Sequence, residues 1–153
     1  MTWYIVKGDA RYDSDELWTT MGHLYKGGIW LKKKSVLQAE GNFSTEKCSD
    51  GVTDLRVTAP SHSFPVPYSH TLPSAAEANK YFYLPALGGY VGPYLNAMGH
   101  LVGVGYYWTS TTLPNNYTTF AYYIYFNHAV LGFDSVFRGR GFIAQPFSDF
   151  GDN

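Results

Sequence analysis

The side chains that could carry covalent or metal chemistry are few in this chain and lie far apart along it. The five histidines include no His-x-His or His-x-x-x-His pair, so none has the spacing of a local metal site. Cys48 is the single cysteine, which excludes an internal disulfide and a cysteine-ligated metal. No Gly-x-Ser-x-Gly element occurs, and no glycine pair is followed by the residues of a phosphate loop. The sequence therefore predicts a protein that is not an enzyme and that uses no metal and no cofactor.

The segment from Tyr81 to Phe133 contains no Asp, Glu, Lys or Arg. It is rich in Tyr, Asn, Thr and Gly, and none of its apolar runs approaches the roughly 20 residues of a membrane-spanning helix. Tyr offers rigid contact area and the small polar residues offer adaptable hydrogen bonds, as in antibody-like binding surfaces. The net charge of −1 argues against a phosphate-binding surface. We therefore expect a partner-binding surface, with no nucleic acid partner and no membrane insertion.

The chain begins without the basic start and apolar core of a signal peptide, so it shows no targeting signal of its own. If the module works outside a cell, any export signal would belong to a longer parent protein or to a virion. The length of 153 residues is that of one ordinary domain.

The chain that would position such a surface has two parts, a charged first half and a largely uncharged second half. Asp13 or Ser14 can cap a helix, and the apolar spacing that follows predicts a helix over Asp15–Tyr25. Ile29–Leu37 is predicted to be a strand interrupted by lysines. Asp9, Asp13 and Asp15 alternate as in a calcium loop, but the glycine and the final glutamate of such a loop are absent, which favours capping.

The second half has short apolar strands separated by Gly, Pro and Asn. The strands are predicted over Tyr81–Leu84, Gly105–Ser110, Ala121–Phe126 and Gly141–Phe147. The expected fold class is α+β, with a small antiparallel sheet, one or two helices and much irregular loop. Five aromatic residues are expected to be mostly buried, namely Trp18, Trp30, Trp108, Tyr122 and Phe126.

Several motifs, in this order, resemble one family. They are Asp15-Glu16-Leu17-Trp18, Gly27-Gly28-x-Trp30, Tyr81-Phe82-Tyr83-Leu84-Pro85-Ala86, Gly105-Tyr106-Tyr107-Trp108-Thr109-Ser110, Ala121-Tyr122-x-x-Tyr125-Phe126 and Arg138-x-x-Gly141-Phe142. The family comprises the C-type-lectin-like domains at the ends of surface proteins and phage-encoded proteins of gut Bacteroidales. The resemblance covers essentially the whole chain, residues 1–153, and implies a single domain with the C-type-lectin-like fold.

Many members of that group are similar to the variable proteins of diversity-generating retroelements, in which surface positions near the C-terminus are rewritten on a fixed framework. The resemblance implies a variable region within residues 105–147. Family members begin with a strand upstream of the position matched by Trp3-Tyr4, so either this chain is a fragment or that strand is missing. The calcium and sugar motifs of true C-type lectins are absent, so calcium-dependent sugar binding is not implied.

Within this region, residues typical of a framework alternate with a set that no packing rule explains. We expect this set to form one contiguous ligand-binding face that binds a protein or a glycan. Its members are Asn115, Asn116, Tyr117, Tyr123, Asn127, His128, Leu131, Phe133, Asp134, Val136, Phe137 and Arg140. An exposed apolar patch of this kind usually marks a binding site. The alternative is that these are strand and core residues of an ordinary all-β edge.

The predicted function is non-catalytic ligand recognition on a cell surface or virion, as part of a larger protein or assembly. The alternative is a structural adhesin or fibre-tip domain that buries these aromatic residues in an oligomer. A third possibility, an enzyme related to the formylglycine-generating oxidases, would need a pair of reactive cysteines or a metal, and Cys48 stands alone.

Overall fold

A computed structural model describes residues 9–20, 22–41, 53–54, 57–58, 64–88, 103–109, 113–114, 119–140 and 142. Of these residues, 52% lie in strands and 10% are helical. The strands are β1 (Ala10–Thr20), β2 (His23–Lys32), β3 (Phe64–Pro65), β4 (Tyr68–Ser69), β5 (Tyr81–Pro85), β6 (Gly105–Trp108), β7 (Phe120–Phe126) and β8 (Leu131–Phe137). One α-helix, α1 (Lys34–Ala39), and a 3₁₀ turn at Ala78–Lys80 complete the described elements.

The strands form two four-stranded sheets. Sheet A has the order β4-β1-β2-β5, and sheet B has the order β3-β8-β7-β6. All neighbouring strands are antiparallel except β1 and β4, which pair in parallel at Ala10 and Arg11. The expected α+β class is therefore wrong, because most of the described chain is strand and its one α-helix is short.

The helix predicted over Asp15–Tyr25 is a β-hairpin made of β1 and β2. Asp13 does cap backbone N–H groups, but it caps them in a β-bulge and not at the start of a helix. Asp13 Oδ1 accepts hydrogen bonds from the backbone N–H groups of Asp15 and Glu16 at 2.9 and 3.0 Å, as a helix N-cap would. These bonds close a bulge in β1, where the register with β2 shifts between Asp13 and Leu17.

The strand predicted over Ile29–Leu37 ends at Lys32, and α1 follows it. Strong helix formers (Lys, Leu, Gln and Ala) make up most of Lys34–Ala39, and Leu37 anchors the helix by burying its side chain fully. Leu131–Phe137, which contains five of the predicted binding residues, forms strand β8.

The inner faces of the two sheets share one hydrophobic core. Sheet A contributes Tyr12, Ile29, Leu31 and Leu84, and sheet B contributes Tyr107, Tyr122, Ile124, Phe126, Leu131 and Phe133. The expected burial of Tyr122 and Phe126 is confirmed, since both are 0% exposed. Trp30 and Trp108 are only half-buried, and Trp18 is 38% exposed, so its predicted burial is wrong.

One buried hydroxyl group and a pair of glycines connect the sheets where β5 and β6 approach each other. Tyr107 donates a 2.6 Å hydrogen bond to the carbonyl oxygen of Pro85, and Gly88 pairs in parallel with Gly105. A Cβ atom on Gly105 would lie 2.1 Å from the ring of Phe126, so only glycine allows this ring to pack on β6. These contacts hold sheet B in place against sheet A.

The strands predicted at Tyr81–Leu84, Gly105–Ser110 and Ala121–Phe126 are confirmed as β5, β6 and β7, with slightly different ends. The strand predicted over Gly141–Phe147 lies outside the described residues apart from Phe142, which is in no strand. Within the described part of the chain, no helix has the length and apolar character required to span a bilayer.

Candidate functional site

The two faces of sheet B differ in burial because side chains alternate along each strand. On β7, Tyr122, Ile124 and Phe126 are buried in the core, whereas Tyr123 and Tyr125 point the other way and are half-buried. Cross-strand pairing brings Tyr106 beside Tyr125, Trp108 beside Tyr123 and Asp134 beside Tyr123 on that outer face. The outer face of sheet B is therefore lined by aromatic side chains that the core does not use.

Phe142 packs at the centre of this outer face, where it contacts three rings. Its ring centroid lies 5.0 Å from that of Tyr106 in a stacked arrangement and 4.8 Å from those of Trp108 and Tyr123. Tyr123 in turn contacts Tyr125 at 6.0 Å. We call this group the aromatic face; it comprises Tyr106, Trp108, Tyr123, Tyr125 and Phe142. Mutual ring contacts fix the side chains in place, which lowers the entropy that a binding partner would have to remove.

Two charged residues, Asp134 and Arg140, influence the pKa values of tyrosines in the aromatic face. Burial raises the pKa of Tyr123 to about 12, with the negative charge of Asp134 as the next cause, while the positive charge of Arg140 opposes this rise. Burial also raises the pKa of Tyr106, and Arg140 again opposes the rise. Both phenol groups thus remain protonated at neutral pH and can donate hydrogen bonds to a ligand.

The structure brings four of the predicted binding residues to this region. Tyr123, Asp134 and Val136 occupy outer-face positions of β7 and β8, and Arg140 follows β8 closely enough to influence two of the tyrosines. All four are half-buried. They provide an apolar, a cationic and an anionic group beside the rings.

Leu131 and Phe133 do not belong to the binding face, and their prediction as surface residues is wrong. They are 1% and 0% exposed, because β8 pairs with β7 in a register that places them opposite Phe126 and Ile124 on the inner face. For these two residues the alternative of ordinary strand and core positions is the correct one.

Three further candidates lie at the ends of the β7–β8 hairpin and not on the aromatic face. Asn127 shapes the turn, since its Oδ1 accepts hydrogen bonds from the N–H groups of Ala129 and Val130 at 2.7 and 2.9 Å. His128 is exposed in the same turn. Phe137 is 57% exposed at the opposite end and packs against Phe120, with ring centroids 4.2 Å apart. The expected single contiguous face is therefore not formed by the predicted set as a whole.

Asn115, Asn116 and Tyr117 lie outside the described residues, and their prediction as binding residues stays a prediction. The predicted set of binding residues omits Tyr106, Trp108, Tyr125 and Phe142, which occur instead in the motifs of the family resemblance. One sequence signal could have identified Tyr106, Trp108 and Tyr125. It is the two-residue alternation of β6 and β7, which places one set of side chains on each face of the sheet.

Among the described residues, no group of three His, Cys, Asp or Glu side chains is arranged to hold a metal ion. No protein-family model matches this chain, and neither the curated proteins nor the solved structures contain a match to it.

Proposed function

We propose that this protein is a non-catalytic ligand-recognition domain and that the aromatic face is its main binding surface. The proposal is supported by the difference in burial between the two faces of sheet B. Its inner face supplies the shared core, while its outer face holds four half-buried aromatic side chains, Tyr106, Trp108, Tyr123 and Tyr125. Phe142, which is 9% exposed, packs on three of these rings. Tyr and Trp with large rigid surfaces are the residues that most often dominate binding energy.

The surroundings of the aromatic face suit recognition of a protein or a glycan ligand. The rings offer flat apolar area for stacking, and Asp134 and Arg140 offer hydrogen-bonding groups of opposite charge near them. The lack of acidic and basic residues from Tyr81 to Phe133 supports a non-catalytic role, because general acid–base chemistry depends on such groups.

The proposal includes the place where the domain works. We infer a role at a cell or phage surface, within a larger protein or assembly, with residues 105–147 diversified by a retroelement. This part rests on the sequence resemblance alone. Sequencing the genomic neighbourhood tests it, since a reverse transcriptase gene and a near-copy of the coding segment for 105–147 are expected nearby. Their absence would contradict the retroelement origin without affecting the proposed binding surface.

The binding surface is tested by screening the purified chain on a glycan array and against displayed bacterial surface proteins. Trp108→Ala and Tyr123→Ala are expected to weaken any selected interaction roughly 30-fold each, which is the effect of losing a binding hot spot. Leu72→Ala, at a side chain 45% exposed and outside sheet B, is the matched control and is expected to bind normally.

Circular dichroism and thermal melting must show that the variants stay folded. Binding that is unchanged in both aromatic variants would contradict the proposal. An obligate oligomer that covers Trp108 and Tyr123 would instead favour the structural adhesin. Because Phe133 is buried within its own chain and Phe137 is 57% exposed, such an oligomer would have Phe137 and not Phe133 available for its interface.

A further inference from the structure

A second group of aromatic side chains lies on the outer face of sheet A. Trp18 stacks on Tyr83, with ring centroids 5.3 Å apart and an interplanar angle of 14°, and Tyr83 also contacts Trp30 at 4.9 Å. Tyr83 lies flat over Gly28, where a Cβ atom would be only 2.3 Å from the ring. Trp18 rests on Tyr83 and is 38% exposed. The Trp18–Tyr83 stack is thus a rigid aromatic plate at the surface.

Three acidic residues lie just before Trp18 on the same strand. They are Asp13, Asp15 and Glu16, and the Nζ atom of Lys26 lies 3.3 Å from the carboxylate of Asp15. Asp13 is buried and its carboxylate is occupied by the backbone N–H groups of the bulge and by the indole of Trp30 at 3.4 Å. Glu16 is exposed, and no ion pair of its own joins it to Lys26 in the described part of the chain.

The acidic residues before Trp18 also affect the hydroxyl group of Tyr83. Burial is the main cause that raises the pKa of Tyr83, and the negative charges of Asp13 and Glu16 add to the rise. The plate therefore combines the electron-rich face of an indole with a nearby carboxylate. This pairing attracts a cation, because the ring quadrupole and the carboxylate act in the same direction.

We propose that the Trp18–Tyr83 stack and Glu16 form a second binding site, which takes an arginine side chain from a basic segment of a protein partner. A guanidinium group is planar, stacks on an indole face and can pair with a carboxylate through two N–H groups. The site lies on the sheet opposite the aromatic face of sheet B and does not depend on the function proposed for that face.

The probe is a blocked Gly-Arg-Gly-Arg-Gly peptide, titrated into the full chain labelled with ¹⁵N at its tryptophans. Citrulline replaces arginine in the control peptide, which keeps the shape and removes the charge. We expect the indole signal of Trp18, assigned with Trp18→Phe, to shift with the arginine peptide and not with the citrulline peptide. The affinity is expected to fall as salt is raised, since exposed charges are screened.

Two variants and a matched control make the test specific. Trp18→Ala is expected to weaken arginine-peptide binding about fivefold or more, and Glu16→Gln about twofold. Leu24→Ala alters the same hairpin at a side chain that is 68% exposed and pairs with Thr19, and it is expected to leave binding unchanged. Glu16 is exposed, so its variant keeps the test valid even if Trp18→Ala loses stability.

Several outcomes would overturn this proposal. These are equal binding of the citrulline peptide, no shift of the Trp18 signal, and equal affinity in all three variants. Sedimentation showing a dimer that Trp18→Ala dissociates would also overturn it, because the plate would then be an interface between two copies of this chain.

Discussion

At the scale of single residues, Asp9 connects three strands of sheet A at one end. Its carboxylate accepts a 2.7 Å hydrogen bond from the hydroxyl of Tyr81 on β5 and two from Arg11 on β1, and it lies 3.9 Å from Lys32 on β2. Asp9 has a positive φ of 46°, a conformation that Asp and Asn adopt more readily than most residues. The hydrogen bonds from Arg11 are the main cause of its lowered pKa.

We expect Asp9→Asn to lower the free energy of unfolding by on the order of 1 kcal/mol at neutral pH, discounted for partial exposure. Asn keeps the backbone preference and removes the charge. Because the folded pKa of Asp9 is lowered, its contribution is present above the unfolded pKa and disappears as the pH falls through the folded pKa. Urea unfolding of both proteins between pH 7 and about pH 2 measures this. A stability difference that stays constant over this range would contradict the prediction.

At the scale of elements, the bulge in β1 decides the shape of the β1–β2 hairpin. Asp13 is 5% exposed and is the only charged residue among the described buried ones. Its carboxylate satisfies two backbone N–H groups that the shifted register leaves without a partner on β2, and it also accepts from Trp30. The bulge in turn sets the position of Trp18, which follows it on β1.

Asp13→Ala is expected to lower the free energy of unfolding by about 1–3 kcal/mol, since it leaves donors in a partly buried site without acceptors. Asp13→Asn retains an acceptor oxygen and is expected to lose clearly less. Chemical denaturation of the three proteins measures the difference. Equal losses in the two variants would show that the charge, and not the hydrogen bonds to the backbone, supports the bulge.

At the scale of the whole molecule, the stability of the described structure depends on the core shared by both sheets. Phe133 lies in that core and Phe137, four residues later on the same strand, is 57% exposed. The two side chains have the same chemistry and differ in burial, which makes them a matched pair.

Phe133→Ala is expected to cost about 3–5 kcal/mol of unfolding free energy, because it leaves a cavity between the sheets. Phe137→Ala removes a largely exposed side chain and its ring contact with Phe120, and is expected to cost less than about 1 kcal/mol. Denaturant midpoints with unchanged slopes are the measurement. Similar losses in both variants would mean that the packing of the two sheets is not what stabilises this chain.

The amino-acid sequence by itself determined the strands whose signal is local. β5, β6 and β7 were predictable because alternating apolar residues between turn formers specify an extended chain without reference to distant residues. The uncharged, tyrosine-rich composition from Tyr81 to Phe133 likewise indicated an aromatic surface before any fold was known.

Some sequence patterns are compatible with more than one local structure, and only the tertiary structure decided between them. Asp13 can cap backbone N–H groups both in a helix and in a bulge, and the pairing of β1 with β2 places it in a bulge. Leu131 and Phe133 could face either way, since a shift of one residue in strand register exchanges the two faces. Pairing of β8 with β7 sets which side chains share a face. Packing of sheet B against sheet A buries the face with Leu131 and Phe133 and leaves Tyr123 and Asp134 on the outer face, and this packing joins residues that are far apart in the chain.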